Sequence, residues 1–250
     1  MNYLEINKIY NENCLDGMKI IADGSVDMIL CDLPYGTTQC KWDTVIPFEP
    51  LWEQYKRVIK SNGAIILTAS QPFTSALVMS NPKMFRYDLV VEKTKATGFL
   101  NAKRMPMRCH ESIIIFYKEL PIYNPQKTHG HTPTHNFTKH TSDGENYGET
   151  KVGISGGGNT SRYPRSVLKF KWDTQKLAVH PTQKPVALFE YLIKTYTNPG
   201  ELILDNCMGS GTTAIACINT GRNFIGFEMD KGYYDIACDR IEKLKESGEF

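Results

Sequence analysis

A short polar segment that follows the apolar run at residues 26–31 could hold an amino group. The segment is Asp32-Leu33-Pro34-Tyr35. Because Leu33 precedes a proline, its backbone is biased to extended geometry, and its carbonyl can point into a pocket. The Asp32 carboxylate and this carbonyl could accept the two hydrogens of one amino group, while Tyr35 could stack on a planar base. An ordinary turn carrying a surface tyrosine fits the same residues.

A second segment, near the C-terminus, has the pattern of a nucleoside-binding turn. An apolar run ends at Asp205, a turn with Gly209-Ser210-Gly211 follows, and the next apolar run ends at Glu228. Glycines let the backbone approach a ligand closely, and an acid at the end of the next strand can accept hydrogen bonds from ribose hydroxyls. The turn matches G-x-G-x-x-[GA]. That match alone is weak, and a tight strand–helix turn without a ligand also fits it.

Four motifs, taken together, resemble those of the S-adenosylmethionine-dependent DNA amino-methyltransferases, in the permuted order of the β group. In chain order they are Asp32–Tyr35 (D-P-P-Y), His180–Pro185 (H-P-T-Q-K-P), Asp205–Thr213 (D-P-F-x-G-S-G-T-T) and Arg222–Glu228 with Tyr233 or Tyr234 and Arg240 beyond it. The resemblance covers roughly residues 5–120 and 165–245. Four motifs in one order are far more specific than any one of them.

The resemblance implies methyl transfer from S-adenosylmethionine to the N6 amino group of an adenine that is flipped out of double-stranded DNA. It also implies the role of individual residues. The catalytic motif would comprise Asp32, Leu33, Pro34 and Tyr35. The residues implied for cofactor binding are Asn13, Cys14, Lys184, Pro185, Asp205, Cys207, Gly209, Ser210, Gly211, Thr212 and Glu228.

Three positions depart from the family pattern. Leu33 replaces the first proline of the catalytic motif, although its carbonyl is retained. Asn206-Cys207 replaces Pro-Phe, which removes an aromatic ring near the cofactor. Asn13 stands where the family often has an aspartate, so an amide would replace a full charge in bonding the cofactor's adenine.

The elements that must position these motifs alternate between strands and helices. The apolar runs predict strands at 26–31, 63–68, 87–91, 112–117, 201–205 and 223–228, and helices at 49–61, 185–196, 212–220 and from Asp230 onward. This alternation predicts an α/β fold with a mixed sheet and helices on both faces, Rossmann-like and circularly permuted according to the resemblance. We expect a catalytic domain from residues 1–120 and 165–250, with 121–164 as a long polar insertion that reads the DNA target.

The charge distribution indicates where DNA would bind. Residues 92–176 contain 14 Lys/Arg and 7 Asp/Glu, a balance of +7 in a chain whose net charge is +2, so the remainder carries −5. A basic region within an acidic frame fits contact with a polyanion, and a solvated basic loop would give the same count. The predicted DNA-binding residues are Trp42, Arg162, Arg165 and Lys169.

Composition excludes several other classes. With 41% hydrophobic and 22% charged residues, the chain is an ordinary globular protein, and it has neither a membrane-length apolar run nor an apolar secretory leader. Seven cysteines without a CxxC pair predict a reducing compartment, in keeping with a cytoplasmic enzyme of a bacterium or phage, and no metal site is expected. Cytosine-N4 methylation, methylation of an RNA or protein amide, and a nicotinamide-dependent oxidoreductase remain as alternatives, and a homodimer is one candidate for the oligomeric state.

Overall fold

An eight-stranded mixed sheet forms the centre of the computed structural model, which describes residues 4–38, 40, 43–138, 153–171 and 183–248. Its strands are β1 (Lys8–Tyr10), β2 (Val26–Cys31), β3 (Ile59–Ala69), β4 (Phe85–Thr97), β5 (Arg108–Phe116), β8 (Val167–Lys169), β9 (Leu202–Asp205) and β10 (Asn223–Phe227). The helices are α1 (Cys14–Met18), α2 (Phe48–Val58), α3 (Phe73–Ser80), α4 (Val186–Tyr196), α5 (Thr212–Thr220) and α6 (Lys231–Ser247).

The strand order explains how distant motifs come together. The order is β1-β10-β9-β2-β3-β5-β4-β8, with β5 antiparallel to both of its neighbours and the other pairs parallel. Strand β2, which precedes Asp32, therefore lies directly beside β9, which ends at Asp205. The predicted fold class is confirmed, because the sheet is mixed and helices pack on both of its faces.

Two apolar layers cover the two faces of the sheet. Successive residues of β2 alternate between them: Met28 and Leu30 pack with α4, α5 and α6, whereas Ile29 and Cys31 pack with α1, α2 and α3. A strand buried on both faces needs a continuous apolar run instead of a polar alternation. This requirement is why the central strands were recognisable from the sequence.

Most predicted elements are present, with changed bounds. Residues 26–31 and 212–220 form the predicted strand and helix without any shift. The strand predicted at 87–91 is longer, since β4 continues through a polar stretch to Thr97, where it pairs with Arg108 of β5. Four short or weakly patterned elements of the larger unit, β1, β8, α1 and α3, were not predicted.

The chain divides into two compact units. One contains Met1–Asn124 and Ser166–Phe250, and the other is Pro125–Arg165. Within the second unit, β6 (Phe137–Thr138) pairs with β7 (Ser155–Gly156), and Thr128 forms an isolated bridge with Arg162. A role for this unit in target recognition stays a prediction. Across the described residues, no helix is both long enough and apolar enough to cross a membrane.

Candidate active site

A cavity of about 700 Å³ opens at the carboxyl ends of the parallel strands, within the larger unit. This edge is where open α/β sheets bind ligands. Its wall includes the segment from Asp32 to Tyr35 on one side and residues 205–210 and Glu228 on the other. Two motifs that are about 170 residues apart in the sequence therefore line one space.

Asp32 lies in a network of side chains. Its Oδ1 accepts a hydrogen bond from the Thr68 hydroxyl, and the Tyr35 hydroxyl lies 2.7 Å from the same oxygen and 2.8 Å from Thr68 Oγ1. A phenol has one hydrogen, so Tyr35 donates to only one of these oxygens at a time. Burial, followed by the nearby charge of Asp32, raises the pKa of Tyr35 well above its ordinary value, so the phenol remains protonated.

Lys184 joins this network to a second acid. Its Nζ lies 2.8 Å from Asp32 Oδ2 and 3.1 Å from Glu111 Oε2, and Glu111 also pairs with Lys93. The Lys184 side chain is only 6% exposed. Burial by itself lowers the pKa of Lys184, but the charges of its neighbours, Asp32 first, raise it well above its ordinary value. The result is a row of alternating charges along the cavity wall.

The Tyr35 ring is held by a second aromatic side chain. It stacks on Phe73, with ring centroids 5.2 Å apart and planes 25° apart, and Lys184 Nζ lies 5.6 Å from the Tyr35 centroid. Phe73 begins α3, which the sequence analysis did not predict. The orientation of Tyr35 therefore depends on a helix outside its own motif.

The acids on the opposite wall are bound by local groups, mainly backbone N–H donors. Asp205 accepts from the Cys207 N–H at 3.0 Å and from the Thr213 hydroxyl, and burial raises its pKa to about 6. Glu228 accepts from the N–H groups of Gly209 and Asp230, both at 2.8 Å, and burial raises its pKa as well.

The glycine turn has the backbone geometry that its sequence suggested. Gly209 and Gly211 have φ of +54° and +85°, a region that other residues enter at a cost. A Cβ on Gly211 would also lie 3.1 Å from the Cβ of Ala237, so this residue lets α6 pack closely. Arg240 of α6 donates a hydrogen bond to the Ser210 carbonyl and thereby stabilises the conformation of the turn.

Asn206 and Cys207, the two departures in the turn, take part in a buried cluster. Asn206 Oδ1 accepts from the Tyr55 hydroxyl, and its amide lies 3.6 Å from Cys14 Sγ and 3.5 Å from Cys207 Sγ. The contact with Cys207 and burial raise the pKa of Cys14, and the pKa of Cys207 is raised by Cys31 and burial more than Cys14 lowers it. These thiols are therefore protonated at neutral pH.

The remaining predicted site residues lie in different places. Asn13 and Thr212 line the cavity, where Asn13 also caps α1 by accepting from the Leu15 N–H. Pro185 and Gly211 do not line it but mark the starts of α4 and α5. Trp42, like His180 of the second motif, lies outside the described residues.

The predicted DNA-binding residues have contacts of their own. Arg162, in the smaller unit, donates to the carbonyls of Asn159, Ser161 and Thr132. Arg165 is exposed, and exposed Lys169 of β8 pairs with Glu92 at 2.9 Å. No ligand-like cluster of His, Cys, Asp and Glu occurs among the residues that the structure describes.

Sequence reasoning missed three polar residues of the network that contains Asp32. They are Thr68 at the end of β3, Lys93 in β4 and Glu111 in β5. Thr68 is the last residue of one predicted strand and Glu111 directly precedes another, so the ends of those strands were the available signal. Their proximity to Asp32 depends on the strand order, which no local pattern encodes.

Comparison with known proteins places this site in a family. A family model described as DNA methylase, which covers N6 and N4 methylases, matches residues 26–239. The type II methyltransferase M1.MboII of Moraxella bovis is 30% identical, over 97% of this chain and 99% of the relative. The DNA adenine methyltransferase YhdJ of Escherichia coli (strain K12) is 26% identical, over 95% and 83%.

Solved structures show the same fold. The M1.HpyAVI–SAM complex superposes with a TM-score of 0.62 at 24% identity, covering 93% of this chain and 98% of that one. The cytosine-N4-specific PvuII DNA methyltransferase gives a TM-score of 0.69 at 13% identity, covering 98% and 92%. The family match and the full-length relatives favour methyl transfer over the oxidoreductase alternative, and the chain belongs to the N6/N4 DNA methylase family.

Proposed function

We propose that the protein transfers a methyl group from S-adenosylmethionine to the N6 amino group of adenine in double-stranded DNA. One observation carries the proposal: a single cavity is lined by an acid-led amino-binding segment and by a glycine turn with an acid at the end of the next strand. The adenine methyltransferase among the relatives and the SAM complex among the fold neighbours support the choice of target and donor.

The cofactor side suits a nucleoside. A Cβ at Gly209 would meet nothing within 4 Å, so the backbone faces open space. Each Glu228 oxygen accepts one backbone N–H and retains acceptor capacity for a ribose hydroxyl. When bound, S-adenosylmethionine supplies a methyl group on a positively charged sulfur, which leaves as a neutral thioether with the bonding electrons.

Asp32 and the Leu33 carbonyl act on the target base. The amino nitrogen of adenine is a weak nucleophile because its lone pair is delocalised into the ring. Hydrogen bonds to both of its hydrogens would favour a pyramidal nitrogen with a localised lone pair. This lone pair forms the new N–C bond directly, and the nitrogen, now positively charged, then releases one proton to solvent. The contribution is placement and electrostatic preorganisation, with no covalent enzyme intermediate. The protonated, buried thiols need no role in this reaction.

DNA must open for this chemistry. The amino group cannot be reached inside a stacked duplex, so the base is extruded into the cavity, with Tyr35 as its stacking partner. Phe73 holds the Tyr35 ring, and Thr68 and Asp32 hold its hydroxyl. Such an enzyme works in the cytoplasm of a bacterium or of a phage-infected cell.

The test is direct. DNA from a host that expresses the protein is digested and analysed by mass spectrometry, and its modified positions are located by sequencing with modified-base detection. We expect N6-methyladenine in one short sequence, absent when Asp32 is replaced by alanine. N4-methylcytosine would instead support the second activity that the family contains, and the absence of any modified base with folded protein would refute the proposal.

A further inference from the structure

The loop that joins β4 to β5, residues 98–107, exposes an unusual amount of apolar surface. Leu100 is 97% exposed and Phe99 is 78% exposed, and Met105 and Met107 are exposed as well. Single exposed apolar residues are ordinary, but four of them within nine positions form a patch of the kind that marks an interaction site.

The strand directions place this β4–β5 loop at the edge of the sheet that carries the cavity. Strand β5 is antiparallel to β3, and β4 is antiparallel to β5, so β4 ends at the same edge as β2 and β3. Thr97 and Arg108, which flank the loop and pair with each other, line the cavity. The apolar patch is thus continuous with the mouth of the cavity.

The charges around the patch are of one sign. Residues 93–110 contain Lys93, Lys95, Lys103, Arg104 and Arg108 and no Asp or Glu. Among the described residues, Lys95, Lys103 and Arg104 form no ion pair with a carboxylate. Basic side chains beside exposed apolar ones suit a ligand with a charged backbone and a stacked apolar interior, which describes duplex DNA better than an apolar protein surface.

We propose that the β4–β5 loop enters the DNA at the target site, with Phe99 and Leu100 filling the space that the extruded base leaves and with Lys103 and Arg104 on the flanking phosphates. This inference rests on the proposed function and adds the element that opens the duplex. Apolar side chains that insert between base steps offset the unstacking of the bases that they replace.

The experiment compares methylation rates on two duplexes that carry the sequence found methylated in the host. One is fully paired, and the other has an abasic site opposite the target adenine, so less pairing is broken on extrusion. The variant is Phe99→Ser with Leu100→Ser. On the paired duplex we expect the kcat/KM of this variant to fall at least about tenfold. On the abasic duplex its kcat/KM should lie within about threefold of the wild-type value, because extrusion of an unpaired base costs less free energy.

A matched control uses exposed apolar residues at the opposite edge. Met79→Ser with Leu120→Ser alters side chains that are 71% and 78% exposed, one near the end of α3 and one just after β5. These changes should leave both rates unchanged. As a readout without turnover, 2-aminopurine at the target position should fluoresce strongly with wild type and the control, and weakly with the loop variant.

The outcomes separate the two proposals. If the loop variant matches wild type on the paired duplex, or loses equally on both duplexes, the inserting role is wrong while the methyltransferase assignment stands. If wild type methylates neither duplex, the proposed function itself is wrong, and the loop inference is overturned with it.

Discussion

Among the acidic residues that line the cavity, two pairs are bound in different ways. Asp205 and Glu228 are bound mainly by backbone N–H groups that lie at most 19 positions away in the sequence. Asp32 and Glu111 are bound by the side chains of Lys184, Thr68, Tyr35 and Lys93, which come from separate strands and loops.

The hydrogen-bond donors around Asp205 and Glu228 are fixed in position, whereas those around Asp32 and Glu111 can be exchanged for other groups. Backbone donors cannot move away without unfolding the turn, so the wall proposed to bind the cofactor is preformed and depends little on any distant side chain. Side-chain donors can be displaced by rotation, so under the proposed function the amino group of the target base would replace one partner of Asp32. The network around Asp32 is therefore sensitive to substitution, because removing one charged side chain leaves its partner's charge buried without compensation.

Replacement of Asp32 should have the largest effect. We expect Asp32→Ala to abolish methyl transfer, and Asp32→Asn to lower the rate by about 10²–10³ if the charge is the main contribution, as for one preorganised polar partner elsewhere. Affinity for S-adenosylhomocysteine, measured by calorimetry, should change much less. An Asn variant with nearly full activity would mean that hydrogen-bond acceptance alone is sufficient.

Removal of the Lys184 ammonium should lower the stability of the folded protein. Lys184→Met leaves Asp32 and Glu111 facing each other, and we expect a loss of about 3–5 kcal/mol in the free energy of unfolding measured by urea titration. The control is Lys194→Met, whose exposed ion pair with Glu190 at 3.7 Å should contribute less than about 1 kcal/mol. If Lys184→Met and Lys194→Met lower the free energy of unfolding equally, the buried ion pairs of Asp32 and Glu111 contribute no more than an ordinary surface pair.

The buried Asp205 gives a pH dependence with a defined sign. Its pKa is raised from 3.8 to about 6, so between these values the folded protein binds a proton that the unfolded chain has released. Stability from this group is present below pH 4 and lost as pH rises through 6, in all on the order of 3 kcal/mol. Relative to Asp205→Asn, wild type should gain stability on acidification, and Asp239→Asn, at an exposed position, is the control substitution.

Replacement of Glu228 tests the preformed wall. Glu228→Ala should weaken cofactor binding by about 1.5–3 kcal/mol, as expected for hydrogen bonds to a charged group. Isothermal calorimetry with S-adenosylhomocysteine measures the loss, and methylation at saturating cofactor should largely survive. A folded variant with unchanged affinity would show that Glu228 is not part of the cofactor site.

We expect the smallest effects from substituting the two arginines that were predicted to bind DNA, and the two substitutions should differ in their effect on stability. Arg165→Gln should flatten the dependence of log K on log salt by about 1, as one phosphate contact does, with little change in stability. Because Arg162 donates to three carbonyls, Arg162→Gln should lower the melting temperature as well. If neither variant changes the slope, the DNA-facing surface lies elsewhere in the protein.

The sequence determined the elements whose signals are local. Strand β2 and helix α5 have the predicted bounds, because one is an apolar run stopped before a proline and the other lies between two glycines of positive φ, Gly211 and Gly221. The turn at Gly209 was recognisable for the same reason. Its conformational requirement is set by its own residues.

Only the tertiary structure decided which groups surround Asp32. Thr68 and Lys184 are 36 and 152 positions away, and they meet Asp32 because β2 lies between β3 and β9. The resemblance implied that Lys184 binds the cofactor, and only the structure showed that its ammonium lies between two acids. Strand order follows from the packing of all the elements around one core, so residue types and spacing near Asp32 could not reveal its partners.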